Sequence, residues 1–291
     1  MSDKGGVAES ALFLWGKCMQ PRTADIIELV DSLAPFGLQE EWDNCGLQTG
    51  DPDWPAGRMM IALDVTMEVM KEAKDRNAGM LLSHHPLLMK PLKSVQFDRM
   101  PGSAVSASCL NRISIVSAHT SLDKARSGLN DYFAALAGLC ETEPLVPFPD
   151  HQEGSCDPPG FGRIGRLESP GSLETVAAQI KHSLGIDSVR VVGDPGNEKM
   201  ETAAVCTGSG GSFVDEFLRS GAQVYITGDI KYHEARRIEE KGRVLIDVGH
   251  FASEIAAVDL LYERLKSACD HAGFEVEIIK YKKEKDPFII L

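Results

Sequence analysis

The chain has 291 residues, enough for one large or two ordinary domains, and its 43% hydrophobic and 25% charged content is that of a globular protein with a full core. Thirty basic residues against 43 acidic ones give a formal charge of −13, which repels polyphosphate backbones and anionic headgroups and so disfavours nucleic-acid partners and membrane surfaces. Seven scattered cysteines without a C-x-x-C pair, and no apolar run near the roughly 20 residues that span a bilayer, give the expectation of reduced thiols in a cytoplasmic protein.

Residues 1–20 read as a loose tail, or as a docked helix with Leu12, Trp15 and Met19 on one face; Ala11–Trp15 is too short for a secretory apolar region. Ile26, Ile27, Val30 and Leu33 then recur at helical spacing, and Pro35 and Gly37 end the helix. Trp42-Asp43-Asn44-Cys45-Gly46 follows as a loop that either faces a ligand, with Asp43 and Asn44 as substrate-binding groups, or is an Asx turn in which those side chains bond their own backbone.

Arg58–Asp64 reads as a strand, Thr66 as the N-cap of a helix to about Arg76, and Met80–Leu82 as a second strand, together a β-α-β unit. Asp64 falls at the carboxyl end of the first strand and Ser83-His84-His85-Pro86 at that of the second, where open α/β sheets gather their ligands. A His-His pair alone is equally well a buried hydrogen-bonded histidine beside an exposed one. Partners elsewhere decide between the two readings.

A further strand within 111–118 ends in His119-Thr120-Ser121-Leu122-Asp123, and Gly128-Leu129-Asn130-Asp131 leads into a helix through about Leu139. The proline- and glycine-rich stretch 141–165 reads as a connecting segment, and 172–184 as a helix. Strand-type runs at 189–192 and 203–206 precede Thr207-Gly208-Ser209-Gly210-Gly211-Ser212, a weak match to an anion-binding loop and a better one to a tight strand-to-helix turn. Val224–Ile226 is a strand that runs into Thr227-Gly228-Asp229, with Lys231 and His233 at the start of a helix. Val244–Ile246 is another and runs into Gly249-His250, with Glu254 four residues on, before an amphipathic helix to about Ala272 and a last strand at 274–279.

His84, His85, His119, Asp123, His250 and Glu254 thus all leave strand ends, and His250 and Glu254, four apart on a helix, project to one side. Imidazole and carboxylate without thiolate suits zinc, iron, manganese, cobalt or nickel, and carboxylates can bridge two cations. The alternation of strands and helices predicts layered α/β architecture. The recurrence of these groups at both chain ends predicts that residues 21–126 and 240–291 form one ligand-bearing α/β domain around a second α/β domain at 127–239.

Ser83-His84-His85-Pro86, His119-Thr120-x-Leu122-Asp123, Gly128-Leu129-Asn130-Asp131, Thr227-Gly228-Asp229-x-Lys231-x-His233, Gly249-His250-x-x-Ser253-Glu254 and the Trp42-Asp43-Asn44-x-Gly46-Leu47 loop together resemble the Nif-three-like family, the type 2 homologues of GTP cyclohydrolase 1, over about residues 22–291. The resemblance implies two divalent metal ions per subunit on His84, His85, Asp123, His250 and Glu254, with Asp123 and Glu254 bridging and His119 beside the metals. It implies also a toroidal homohexamer of two-domain subunits; some relatives carry an inserted middle domain, which the interval between Asp123 and His250 is too short to hold.

Two such cations make hydrolysis of a nucleotide or related small molecule the natural expectation, with His119 or His233 shuttling protons and Asp229 and Lys231 near the substrate. The competing class is a regulatory or metal-handling protein whose ions rivet distant parts of the chain together.

Overall fold

A computed structural model describes residues 20–148, 158–194, 196 and 198–290; the expected tail and part of the connecting stretch lie outside them. Helix α1 (Thr23–Leu33) buries Ile26 and Val30, as its spacing requires. Strands β1 (Gly46–Thr49) and β2 (Arg58–Ala62) follow, then α2 (Met67–Asp75), whose N-cap Thr66 accepts the Val69 N–H at 3.2 Å, and β3 (Met80–Ser83).

An unexpected helix, α3 (Gly102–Asn111), comes next. It buries only Gly102, Ala104 and Ser108 and leaves Leu110 81% exposed, so it packs through small side chains and shows no apolar stripe. Strand β4 (Ser114–Ser117) is followed by two short helices, α4 (Thr120–Lys124) and α5 (Leu129–Leu136). The second ends earlier than expected because Gly138, at φ +75°, turns the chain into β5 (Leu139–Glu143).

The segment expected to be a plain connection carries paired strands: β5, the short antiparallel pair β6 (Val146–Pro147) and β7 (Gly160–Phe161), and the start of β8 (Arg163–Gly171). Its prolines obscured them; Pro147 is tolerated because its strand belongs to a two-stranded edge. Then come α6 (Leu173–Leu184), β9 (Arg190–Val192), β10 (Met200–Ser209), α7 (Val214–Ser220), β11 (Val224–Gly228) and α8 (Tyr232–Glu240). Strand β12 (Val244–Asp247), α9 (His250–Glu254), α10 (Ala256–Ala272) and β13 (Glu277–Lys280) complete the chain.

Among the described residues two larger sheets form, in the orders β1-β4-β3-β2-β13 and β5-β8-β10-β11-β12-β9. Strand β12 pairs with β11 in the second sheet, Val224 opposite Val244, so residues 240–248 do not join the first sheet and the chain returns to it only through Gly249 and α9. In the first sheet β2, β3, β4 and β13 are parallel, while in the second β10, β11 and β12 are.

Period-two alternation sends Met59 and Ile61 to one face of β2, against α1 and α10, and Met60 and Ala62 to the other, against α2 and α3. Strands β11 and β12 behave likewise: Ile226 and Ile246 meet Phe133, Val176 and Ile180, whereas Tyr225 and Leu245 meet Val214, Phe217 and Ile238. Both sheets are therefore covered on both faces, which is why their strands read as unbroken apolar runs. Helix α10 packs on α1 and β2 and also on α5, and α9 packs on β10 and β11, which joins the two halves where their parallel strands end.

Candidate metal centre

The carboxyl ends of the parallel strands of both sheets deliver polar groups to one place. Strand β2 runs into Asp64, β3 into His84 and His85, and β4 into His119; from the second sheet β10 supplies Thr207 and Gly208, β11 leads to Asp229, and β12 to His250.

Adjacent residues on an extended strand would point apart, so the convergence of His84 and His85 needs a cause. Two buried serines supply it: Ser117 Oγ donates to the His84 carbonyl at 2.7 Å and Ser83 Oγ to the His85 carbonyl at 2.7 Å, turning the chain just past the strand. The His84 N–H still bonds Ala62 O at 3.2 Å and the His85 N–H bonds Leu63 O at 2.9 Å. The two rings end 5.1 Å apart between centroids.

Each histidine uses Nδ1 on an oxygen outside the cluster. His84 Nδ1 meets Ala118 O at 2.9 Å, His85 Nδ1 meets Asp64 Oδ1 at 2.8 Å, and His250 Nδ1 meets Asp229 Oδ2 at 2.9 Å. Those partners hold the proton on Nδ1 in the neutral rings and turn all three Nε2 atoms inward, onto Glu254. Glu254 Oε2 lies 2.9 Å from His85 Nε2 and 2.8 Å from His250 Nε2, while Oε1 lies 3.7 Å from His84 Nε2. Asp123 Oδ1 is 4.0 Å from the same His84 nitrogen.

Two groups that could hold a metal ion result, His85 with His250 and Glu254, and His84 with Asp123 and Glu254; His119 joins His84 and His85 in a third. Buried polar atoms in proteins are almost always paired, yet His84 Nε2 is buried with no hydrogen-bond partner. An unpaired imidazole nitrogen aimed between two carboxylates, with its other nitrogen held by a carbonyl, is what a cation ligand presents.

The protonation balance agrees. Burial pushes the Asp123 carboxyl up, whereas Glu254, despite burial, is pulled well below the usual carboxylate range by the imidazoles of His250, His84 and His85. Burial disfavours the His85 imidazolium, but hydrogen bonds to Asp64 and Glu254 outweigh it and raise the group to about 10. Glu254 likewise lifts His250 to about 9. Protons on His85 and His250 supply the positive charge that Asp64 and Glu254 call for.

The remaining expected residues take several places. Asp43 Oδ1 holds His119 Nδ1 at 2.9 Å, and its other oxygen accepts the Thr120 N–H at 3.0 Å and the Thr120 hydroxyl, so Asp43 orients His119 and fixes the loop. Hydrogen bonds from His119 and Thr120 outweigh burial and keep the Asp43 carboxyl well below its ordinary range. Asn44 donates to Leu88 O at 2.7 Å and to Gln48 Oε1 at 3.1 Å, anchoring the loop to the segment after Pro86. Asp229 contacts His250, Lys231 is exposed before α8, and His233 is exposed on α8 against Tyr232, outside the three groups. Cys45 lies beside His119, but burial pushes its thiol up to about 11, so it is no thiolate at neutral pH.

Sequence reasoning gave no role to the residues that fix Asp123 and the Gly208 backbone in place. Thr207 Oγ1 donates to Asp123 Oδ1 at 3.1 Å, Asn130 Nδ2 to Asp123 O at 3.1 Å, and Ser253 Oγ accepts the Gly208 N–H at 2.8 Å. Gly208, at φ +63°, lies so close to Glu254 that a Cβ there would run into Oε1, so this glycine serves close approach to a carboxylate and not a phosphate loop.

Fold and site together define an α/β protein whose imidazoles and carboxylates could bind metal. The match to the family model Duf34/NIF3 (NGG1p interacting factor 3) spans residues 21–287, and the chain belongs to that family. It is 35% identical over 264 residues to the GTP cyclohydrolase 1 type 2 homolog of Clostridium perfringens, covering 91% of this chain and 97% of that protein. The namesake from Clostridium acetobutylicum is 32% identical over 93% of this chain and 99% of its own length. Among solved structures, a Bacillus cereus protein related to NIF3 superposes with a TM-score of 0.86 at 26% identity, over 94% of this chain and all (100%) of that one.

Proposed function

We propose that this protein is a dinuclear-metal hydrolase acting on a nucleotide or a related small molecule. One ion would sit on His84, Asp123 and Glu254 and the other on His85, His250 and Glu254, with Glu254 bridging. The observation that carries the reading is the turning of three Nε2 atoms onto the two oxygens of one buried carboxylate. On this reading Asp123 would serve the His84 ion, whereas the family resemblance implies that it bridges as well.

Two divalent cations held there would supply Lewis acidity and activate water for attack. The chain's own residues do the rest. His119, fixed by Asp43 at Nδ1, presents Nε2 beside His84 and His85, with ring centroids 5.2 and 5.5 Å away, and takes or gives the proton as the bond breaks. Trp42, 60% exposed and edge-on to His119 at 6.1 Å, offers an indole to a planar base, and the exposed Lys231 offers a cation to a phosphate.

A second reading has its own observation: Asp123 from the first half is held by Thr207 of the second, so ions here would also rivet the two sheets together. A homohexamer belongs to the proposal and is tested by solution scattering. Among the described residues no helix is long and apolar enough to cross a membrane.

The test is a substrate screen of zinc-, manganese- and iron-loaded protein against nucleotides and phosphate esters, with Asp43→Asn alongside. Metal-dependent turnover that Asp43→Asn depresses while metal content stays unchanged supports the hydrolase. Bound metal that raises the thermal midpoint with no turnover of any substrate supports the rivet.

A further inference from the structure

Strand β13 pairs with β2 as far as the bond from the Tyr281 N–H to Ile61 O, at 2.9 Å. Beyond it the next donors on that edge of β2, the N–H groups of Leu63 and Asp64, have no strand carbonyl to meet. They are taken by a side chain from the last residues of the chain: Glu284 Oε1 accepts Leu63 N–H at 2.8 Å and Asp64 N–H at 2.8 Å, and Oε2 lies 3.0 Å from Leu63 N.

The peptide so clasped is the one that holds His85. Leu63 O accepts the His85 N–H at 2.9 Å, and Asp64 Oδ1 meets His85 Nδ1 at 2.8 Å, so the backbone and the side chain of one dipeptide both reach the same histidine. The Asp64 side chain is 49% exposed, and water competes for its orientation. Burial gives it no fixed direction; its backbone must. Glu284 is itself anchored from either side, by the contact of Lys283 Nζ with Glu72 Oε2 at 2.7 Å and by Tyr281 packed on the cluster under α2.

We propose that Glu284 is a positioning residue for the metal centre: its carboxylate fixes the end of β2 so that Asp64 stays on His85 Nδ1 and His85 Nε2 stays on the ion it shares with His250 and Glu254. Glu284 thereby joins the site through a dipeptide 221 and 220 positions earlier in the chain. This rests on the metal reading above. It holds whether the ions are catalytic or structural. Asp64 is the partner one hydrogen bond removed from the ligand, a kind worth about 10- to 100-fold in metal affinity, and Glu284 acts through it.

The experiment measures zinc stoichiometry and affinity in the full chain by elemental analysis and chelator competition, with thermal midpoints recorded in parallel, for the parent, Glu284→Ala and Glu284→Gln. Glutamine keeps one oxygen that can accept both N–H groups. The expected result is two ions in the parent and in Glu284→Gln, and in Glu284→Ala one ion held as in the parent and one weakened at least 10-fold. A parent that binds neither zinc nor, in the same assay, manganese or iron defeats the metal reading itself. A parent with two ions and a Glu284→Ala protein that keeps both at parental affinity, or loses both in step with its thermal midpoint, overturns the role of Glu284, as does a Glu284→Gln protein as impaired as the alanine variant.

Discussion

Glu254 Oε1 faces His84 Nε2 at 3.7 Å, too far for a hydrogen bond and too near for water to stand between them in a buried space, and the nitrogen has no other partner. On the far side of the same carboxylate, Oε2 stands within hydrogen-bond reach of His85 and His250. One residue therefore belongs to both candidate ion sites, whereas Asp123 belongs to one.

That asymmetry separates two substitutions. Glu254→Gln is expected to lose both ions, because an amide offers one neutral oxygen where two charged ones are needed. Asp123→Asn is expected to lose one and keep the other on His85, His250 and Glu254. Elemental analysis of each purified variant against the parent reads the difference; equal losses in the two would mean that Glu254 does not bridge.

Gly208→Ala is the least conspicuous change that should damage the site. Its methyl group would collide with Glu254 Oε1 and come within 3.4 Å of His250 Cε1, and its φ of +63° costs a residue with a side chain about 1 kcal/mol besides. Zinc affinity should fall at least tenfold. The same substitution at Gly185, also left-handed at φ +66° but with open space around it, should cost similar stability and leave zinc affinity unchanged.

Acidity should separate the metal-free and metal-loaded proteins. The folded values of about 10 for His85 and about 9 for His250 lie above the ordinary 6.5, so in the metal-free chain the imidazolium contacts stabilise fully below about 6.5 and are lost as pH climbs toward 9 or 10. Burial of Asp123, whose carboxyl is pushed up, works in the same direction. The metal-free thermal midpoint should therefore fall between about pH 6.5 and 10. Zinc, which must displace those protons, should bind more tightly across that range and release protons as it binds, as calorimetry in buffers of different ionisation enthalpy would register. A midpoint that rises with pH in the metal-free protein would contradict the assignment.

Much of this was legible beforehand, for identifiable reasons. The β-α-β unit at 58–83 announces itself because strands covered on both faces leave unbroken apolar runs and Thr66 caps in the ordinary way. His84, His85, His119, Asp123, His250 and Glu254 stand out together because ligand-type residues following several strands is a local pattern, whereas the division of that set into ligands and a neighbouring His119 comes only from the family resemblance. Helix α3 was not legible, since small side chains pack without a stripe, and the strands within 139–165 were hidden by prolines that edge pairs tolerate. The roles of Thr207, Gly208, Asn130 and Glu284 are not legible in the sequence: each matters through a partner 7 to 221 residues away along the chain, and nothing in its own neighbourhood signals that partner. The contacts of Asp43 with His119 and of Asp229 with His250 are hidden for the same reason, being 76 and 21 residues apart.

Asp43→Asn should leave the metals in place and disable the proton transfer. The amide cannot accept from Nδ1 with the strength of the carboxylate, so His119 loses its fixed orientation; for a positioned acid–base group the loss in kcat is about 10²- to 10⁴-fold. Under the hydrolase reading kcat falls with zinc content and KM little changed. Unchanged turnover would remove His119 from the chemistry.

The central claim is that two cations share Glu254. Anomalous diffraction from crystals of the zinc-loaded protein tests it most directly. The account predicts two peaks per chain, one within about 2 Å of His84 Nε2 and an Asp123 oxygen, the other as near to His85 and His250 Nε2, each with a Glu254 oxygen at the same distance. A single peak, or peaks that leave His84 Nε2 without a ligand, would contradict it.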